Sequence, residues 1–309
     1  MKLVFCGTPQ FAVPSLERLV AGGHDVQLVV TQPDRPQGRG MELAAPPVKQ
    51  TAVRLALPVT QPQKIKSNEE FQAQLSAIRP DAIIVVGYGR IIPGWMLQLP
   101  PYGNINVHAS LLPKYRGAAP IQWAIANGET VTGVTTMKID EGLDTGDILM
   151  QREMEIEDDD TSVTLAPRLA DLGADLLVET LRGLEQNKIN PIPQNQSEAS
   201  LAPILKKEDG LVEFSRTARE IHNRLRGFQP WPGAYTVFRG KNLKLLSVSP
   251  IMARGGEPGV LFMAGEDLFV SCGGGTVLHL AQLQLEGKKA MTAREFINGY
   301  RPAKGERLG

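Results

Sequence analysis

Asn106 and His108 stand two residues apart in the run Asn-Ile-Asn-Val-His at 104–108. A strand repeats every two residues, so both side chains belong to one face. The tight turn Ser110-Leu111-Leu112-Pro113 follows. A polar pair at the end of a parallel strand is where an α/β sheet keeps its chemistry. Asp144 lies in a glycine-flanked loop, Gly142-Leu143-Asp144-Thr145-Gly146-Asp147, that could fold back onto that strand end and orient His108. The set is an amide donor, an imidazole and a carboxylate, with no Cys or Ser placed as a nucleophile. It suits hydrogen-bond donation and proton transfer.

These residues need a sheet to hold them, and the first half of the chain reads as one. Lys2–Cys6, Val26–Thr31, Ala82–Val86 and Asn104–His108 are apolar, strand-like runs. Helical patterns cover Ala12–Val20 and the segments near 47–56, 68–78 and 118–127. Strands alternating with helices predict βαβ units in a mostly parallel, twisted, Rossmann-like sheet. Val131–Lys138 and Ile148–Glu155 are later strands, and Ser162–Leu184 is a long amphipathic helix. Residues 186–200 carry little apolar periodicity and read as a linker. After it, Thr217–Arg226 reads as a helix. Short strands at 233–238, 242–249, 257–263, 267–271 and 276–283, parted by Gly-rich turns, suggest a small β-barrel.

Composition narrows the classes. The 309 residues suit two domains, and 42% hydrophobic content is ample for packed cores. No apolar run reaches the ~18 residues of a membrane span, and the first residues read as a strand rather than a signal peptide. Cys6 and Cys272 are expected as ordinary core thiols in a reducing cytosol. Histidines at 24, 108, 222 and 279 lack metal-ligand spacing. Net charge is zero, but residues 1–205 hold 17 Lys and Arg against 23 Asp and Glu, and residues 206–309 hold 16 against 10. An excess of six positive charges in the second part hints at a polyanionic partner, although ordinary charge scatter fits equally well.

Common cofactor motifs are missing. Gly7-Thr8-Pro9 lacks the further glycines of a dinucleotide fingerprint and reads as a strand-to-helix turn; no Walker lysine motif occurs. The loop Pro33–Met41 is long for such a junction and carries Arg35 and Arg39 among Gly and Pro. Such loops are often functional, but a surface excursion fits the spacing as well. The acidic run Glu157–Asp160 suits the first turn of a helix. Trp231, between two prolines, is expected to be a packing anchor.

Together the motifs are specific. Gly7-Thr8-Pro9-x-Phe11-Ala12-Val13, Thr31-Gln32-Pro33-Asp34-Arg35-Pro36-x-Gly38-Arg39-Gly40 and Asn106-x-His108-x-Ser110-Leu111-Leu112-Pro113-x-x-Arg116-Gly117 continue the pattern of one family, as do Asp144-Thr145-Gly146-Asp147, Pro230-Trp231-Pro232 and Gly287-Lys288-Lys289-Ala290-Met291. Over nearly its whole length the chain resembles the methionyl-tRNA formyltransferases, folate-dependent formyltransferases. Met41-Glu42 depart from the lysines frequent there, which bears on the loop's phosphate contacts.

The resemblance implies a formyltransferase catalytic domain over 1–188, a linker over 189–205, and a C-terminal OB-like β-barrel over 206–309 that binds tRNA. It implies formyl transfer from 10-formyltetrahydrofolate to the α-amino group of methionine on initiator Met-tRNA, with no metal, by a cytoplasmic monomer. An α-amine with a pKa near ~7.7–8.0 needs placement more than a strong base. Asn106 and His108 would donate to the oxyanion formed on attack, and Asp144 would orient His108. The pterin would sit against Val86, Tyr88, Gly89 and Ile91 and the loop at Gly142, with Ser110, Leu111, Leu112 and Pro113 near the formyl group. Arg35, Arg39, Lys206 and Lys207 are the candidate tRNA contacts. The same motif fits formylation of a small amine, such as a sugar nucleotide, or release of formate to water. A binder without catalysis would need no imidazole–carboxylate pair.

Overall fold

The computed structural model describes residues 1–37, 42–303 and 305–309. The chain divides into two compact units. Unit 1 is Met1–Pro120, Val131–Glu155 and Ala166–Ala202; unit 2 is Ile121–Thr130, Ile156–Leu165 and Pro203–Gly309.

Unit 1 is built on a seven-stranded sheet among the described residues. Its strands are β1 (Lys2–Gly7), β2 (Asp25–Val30), β5 (Val59–Thr60), β6 (Ala82–Val86), β7 (Asn104–His108), β8 (Val131–Lys138) and β9 (Ile148–Glu155). Their order is β5-β2-β1-β6-β7-β8-β9. From β5 to β7 all neighbours are parallel, whereas β8 and β9 run antiparallel. β6 is buried along its length and β1 from Leu3 onward, as parallel strands covered on both faces must be. The helices between them are α1 (Val13–Ala21), α2 (Pro47–Arg54), α3 (Glu69–Ile78) and α4 (Gly94–Leu97). Asn68 caps α3 by accepting the Phe71 N–H at 3.0 Å. The long helix α6 (Ser162–Glu185) follows β9.

The loop after β2 begins and ends as a short antiparallel hairpin of β3 (Arg35–Gln37) and β4 (Glu42–Ala44). Its base is pinned. Lys49 Nζ donates to both Asp34 oxygens at 2.7 and 2.9 Å, and Gln61 adds a third bond at 2.7 Å. The Lys49 bond, then the Gln61 bond, hold the Asp34 carboxyl below its ordinary range. Arg35 is exposed. Arg39, with Gly38, Gly40 and Met41, lies outside the described residues.

Unit 2 contains α5 (Pro120–Ala126) from Ile121 on, α7 (Ala218–Gly227), the strands β10 (Ala234–Phe238), β11 (Lys241–Ile251), β12 (Leu261–Ala264), β13 (Asp267–Ser271), β14 (Val277–Leu285) and β15 (Met291–Thr292), and α8 (Ala293–Tyr300). The strands form an antiparallel sheet ordered β10-β11-β14-β13-β12, with β15 on β14. That ladder is what the structure shows of the expected barrel. Alternate residues such as Leu243 and Leu245, or Leu278 and Leu280, point into one core with Phe238 and Phe296. α8 adds to the elements expected from the sequence. Its signal is present there: Thr292 and Glu295 form a reciprocal capping box. Trp231 is no packing anchor, since 55% of it is exposed. Phe228 takes that role, fully buried with its ring 5.2 Å from Trp123.

Both cysteines are free and buried, and burial raises both thiols, Cys272 to about 12. His222 on α7 is pushed down to about 4, by burial first and then by the Arg226 and Arg219 charges, with Asp158 opposing. Its Nδ1 is buried without a partner. The folded state thus favours the neutral ring, and the unfolded chain binds the extra proton. Stability from this group is present above about pH 6.5 and is lost as pH falls towards about 4. Urea unfolding at pH 7.5 and 5 should show the unsubstituted protein losing more stability than His222→Gln, by on the order of 1 kcal/mol once solvent screening of the half-buried ring is allowed for. Equal losses would assign the acid sensitivity elsewhere.

Candidate active site

His108 is the last residue of β7, between the parallel β6 and the antiparallel β8; it pairs with Thr135 and Asn106 with Met137. His108 is 6% exposed. Its Nε2 lies 2.9 Å from the Tyr115 carbonyl, and Nδ1 lies 3.7 Å from Asp144 Oδ2. A carbonyl only accepts, so Nε2 is the donor there and Nδ1 faces the carboxylate. Asp144 Oδ2 also accepts the Gly117 N–H at 2.8 Å. The loop has folded back onto the strand end, and both ring nitrogens face protein groups. Asn106 differs: it is half-buried and no hydrogen bond engages its amide among the described residues. The free donor of the set is therefore Asn106.

The local backbone is special at two points. Tyr115 has φ +61° and Asp144 φ +52°. Left-handed backbone costs a residue with a side chain roughly 1–2 kcal/mol, so surrounding bonds must hold both. Tyr115 N–H donates to Ser200 Oγ at 2.9 Å. Gly146, two residues past Asp144, is required by space, since a Cβ there would stand 1.9 Å from the Lys138 carbonyl oxygen. The turn after β7 is fastened to β8 and β9. Thr135 Oγ1 donates to the Ser110 carbonyl at 2.7 Å, and Gln151 Nε2 donates to the Leu112 carbonyl at 2.9 Å.

The residues expected around a pterin divide by exposure. Val86 and Tyr88 are buried, Tyr88 in the cluster of Val4, Cys6 and Ile83. Ser110 is fully buried, its hydroxyl donating to the Lys114 carbonyl at 2.6 Å, and Leu112 packs with Met137 and Ile148. These side chains shape the turns from inside. Leu111 and Pro113 are half-exposed, Gly89 and Gly142 are exposed, and Ile91 is 89% exposed. Leu143, beside Asp144, is 63% exposed. Ile139, at the start of that loop, packs on the cluster holding Tyr88 and Ile92. Two loops thus present uncovered aliphatic side chains near an unengaged amide donor, which fits a flat heterocycle carrying a carbonyl group. Lys206 and Lys207 are exposed in unit 2. Among the described residues, no three His, Cys, Asp or Glu side chains cluster to hold a metal, and no helix is long and apolar enough to cross a membrane.

Sequence reasoning quotes Arg116 and Gly117 in the family motif without a role and passes over Tyr115 and Gln194, yet all four support the pair. Arg116 is buried, and its guanidinium donates to Gln194 Oε1 at 3.0 and 2.7 Å and to Gln196 Oε1 at 2.7 Å. Gln194 lies in the stretch that reads as a linker. A side chain that works through buried polar bonds leaves no periodic signal.

A mixed sheet with an Asn–His pair ending β7 and an Asp loop closing on it defines a formyl transferase. The family model described as formyl transferase matches residues 1–181, and the one for its C-terminal domain matches 204–301. The methionyl-tRNA formyltransferase of Koribacter versatilis is 69% identical over 100% of this chain and 99% of that protein. The enzyme of that name from Acidobacterium capsulatum is 62% identical over the whole of both. The chain belongs to the methionyl-tRNA formyltransferase family. Among solved structures, a sugar 3N-formyl transferase, WlaRD, crystallised in the presence of dTDP and 5-N-formyl-THF, is 20% identical with a TM-score of 0.67, covering 94% of this chain and 99% of that one. An N-formyltransferase from Helicobacter canadensis in complex with folinic acid and dTDP-3-aminofucose gives 21% and 0.67, over 91% and 98%. At that identity the likeness is one of fold.

Proposed function

We propose that this protein transfers the formyl group of 10-formyltetrahydrofolate to the α-amino group of methionine on initiator Met-tRNA, for translation initiation in the cytoplasm. The observation that carries the reading is the assembly at the end of β7: an unengaged Asn106 amide beside a His108 held by Tyr115 and Asp144. The folate supplies the formyl group. Its ring is placed against Ile91, Gly89 and the Gly142–Leu143 loop, with Leu111 and Pro113 towards the formyl end. Asn106 donates to the formyl oxygen, where negative charge develops on attack by the amine. The adduct collapses as the bond from the formyl carbon to N10 breaks, and the proton that leaves the amine passes through His108, oriented by Asp144, to N10 of the departing tetrahydrofolate. Orientation by these groups does most of the work, because the amine is already partly neutral at working pH.

The test is formyl transfer assayed with initiator Met-tRNA, elongator Met-tRNA and no acceptor. Transfer confined to the initiator supports the reading. Formate release without an acceptor would make the protein a hydrolase, and transfer only to a small amine would overturn the tRNA assignment.

Residues 206–309 grip the tRNA backbone through their positive excess, Lys206 and Lys207 among the contacts, and the loop at Arg35 and Arg39 approaches the acceptor stem. Affinity for tRNA should fall linearly on a log–log plot against salt. Replacing both Lys206 and Lys207 by alanine should reduce that slope by about 1–2. An unchanged slope would place the phosphate contacts elsewhere. Arg39→Ala should lower kcat/KM on Met-tRNA and leave folate affinity unchanged.

A further inference from the structure

We infer that Gln194, held by Arg116, is a positioning residue for the Asp144 carboxylate; the inference rests on the reading of His108 and Asp144 as the reacting pair. Gln194 Nε2 donates to the Asp144 carbonyl at 2.9 Å and to the Gly146 carbonyl at 2.7 Å. Its Oε1 is fixed by two Arg116 N–H groups. Gln194 is 8% exposed and Arg116 5%, so these bonds form away from solvent.

Three consecutive residues converge on the pair by different routes. The Tyr115 carbonyl accepts from His108, Arg116 reaches Asp144 through Gln194, and the Gly117 N–H donates to the Asp144 carboxylate. The main chain around Gln194 is tied on both sides. Ile192 exchanges two 2.9 Å bonds with Ile148, just past the Asp144 loop. Arg116 N–H donates to the Ser200 carbonyl at 2.9 Å, and Ala202 N–H donates to the Arg116 carbonyl at 2.7 Å. The segment 192–202 is thus a strap binding the Asp144 loop to the turn that holds His108.

Asp144 needs such a hold. Its backbone is left-handed, and Leu143 before it is exposed, so the neighbouring side chain adds no packing to hold it. Gln194 bonds the carbonyl of the strained residue itself. Arg116 makes the hold directional, because a planar fork fixes the plane of the amide it donates to. With Oε1 turned towards the guanidinium, the Gln194 amide must present its N–H₂ to the two carbonyls.

Gln194→Met keeps the length of the side chain and removes every one of these bonds. In the full-length protein kcat for formyl transfer to Met-tRNA should fall about 10- to 100-fold, since a displacement near 1 Å costs on that order. KM for tRNA should stay within about three-fold, because the residue acts through the pair rather than on that substrate. The decisive readout is a double-mutant cycle with Asp144→Asn. If Gln194 acts through Asp144, Gln194→Met costs little more once the carboxylate is gone. Arg116→Lys keeps the charge and loses the fork; it should show a milder loss with the same coupling, and it stands in should Gln194→Met fail to fold. Additive losses, or a loss carried by KM for tRNA, would overturn the inference. Should Asp144→Asn alone leave kcat intact, the reading of the reacting pair fails instead.

Discussion

Asn106→Ala is expected to lower kcat by about 10²-fold or more, the size found when an oxyanion donor is removed, and His108→Ala by about 10²–10⁴-fold, the share of a positioned proton carrier. The two substitutions differ in what else they disturb. The Asn106 amide is half-buried and makes no hydrogen bond among the described residues, so its loss should leave stability within ~0.5 kcal/mol and report on the reaction alone. His108 is buried between the Tyr115 carbonyl and Asp144. Removing it takes the imidazole donor from that carbonyl and the ring from its buried place, at about 1–3 kcal/mol. Unfolding curves for both variants, run beside single-turnover formyl transfer, separate the two effects. Near-normal turnover in a folded Asn106→Ala protein would remove Asn106 from the reaction.

Gly146→Ala is expected to be as damaging without touching a reacting group. The added methyl would meet the Lys138 carbonyl oxygen at 1.9 Å and its carbon at 2.8 Å. Backbone cannot rotate away as a side chain can, so the loop must move. Overpacking of this kind costs roughly 1–3 kcal/mol. The same shift displaces Asp144, two residues earlier, and kcat should fall about 10²-fold, the usual result of misplacement near 1 Å. Folate binding should also weaken, because Leu143 and Gly142 share the loop. Unchanged kinetics in Gly146→Ala would mean that the loop tolerates the shift and that Asp144 is not held tightly.

Much of this architecture is legible in the amino-acid sequence. β6 falls at 82–86 and β7 at 104–108 as the strand patterns indicate, and β6, buried along its length, leaves an unbroken apolar run. Asn106, His108 and Asp144 stand out because polar residues beside such runs demand a reason. Tyr88 is expected as a ring contact, yet its side chain is core: in a run that is apolar throughout, alternation gives no inside and outside. Arg116 and Gln194 meet across 78 positions, a pairing that no local pattern encodes. Phe228 takes the role expected of Trp231 because aromatic residues three apart around prolines give no clue to which one turns inward.

Unit 2 is discontinuous along the chain, and this has a consequence for synthesis. Trp123 packs on Phe228 and donates from Nε1 to the Pro203 carbonyl, while the Glu157 and Asp160 carbonyls accept from Arg226. The earlier members of these contacts leave the ribosome first and find no partner until the second half follows. For Trp123 that interval is roughly 5–20 s at ordinary elongation rates. Nascent chains arrested before residue 203 would therefore display an uncovered indole and carbonyls without their arginine donor, a target for holding chaperones. Substitutions in 121–130 or 156–165 could then lower cellular yield through prolonged exposure during translation, even where the finished protein melts at the usual temperature.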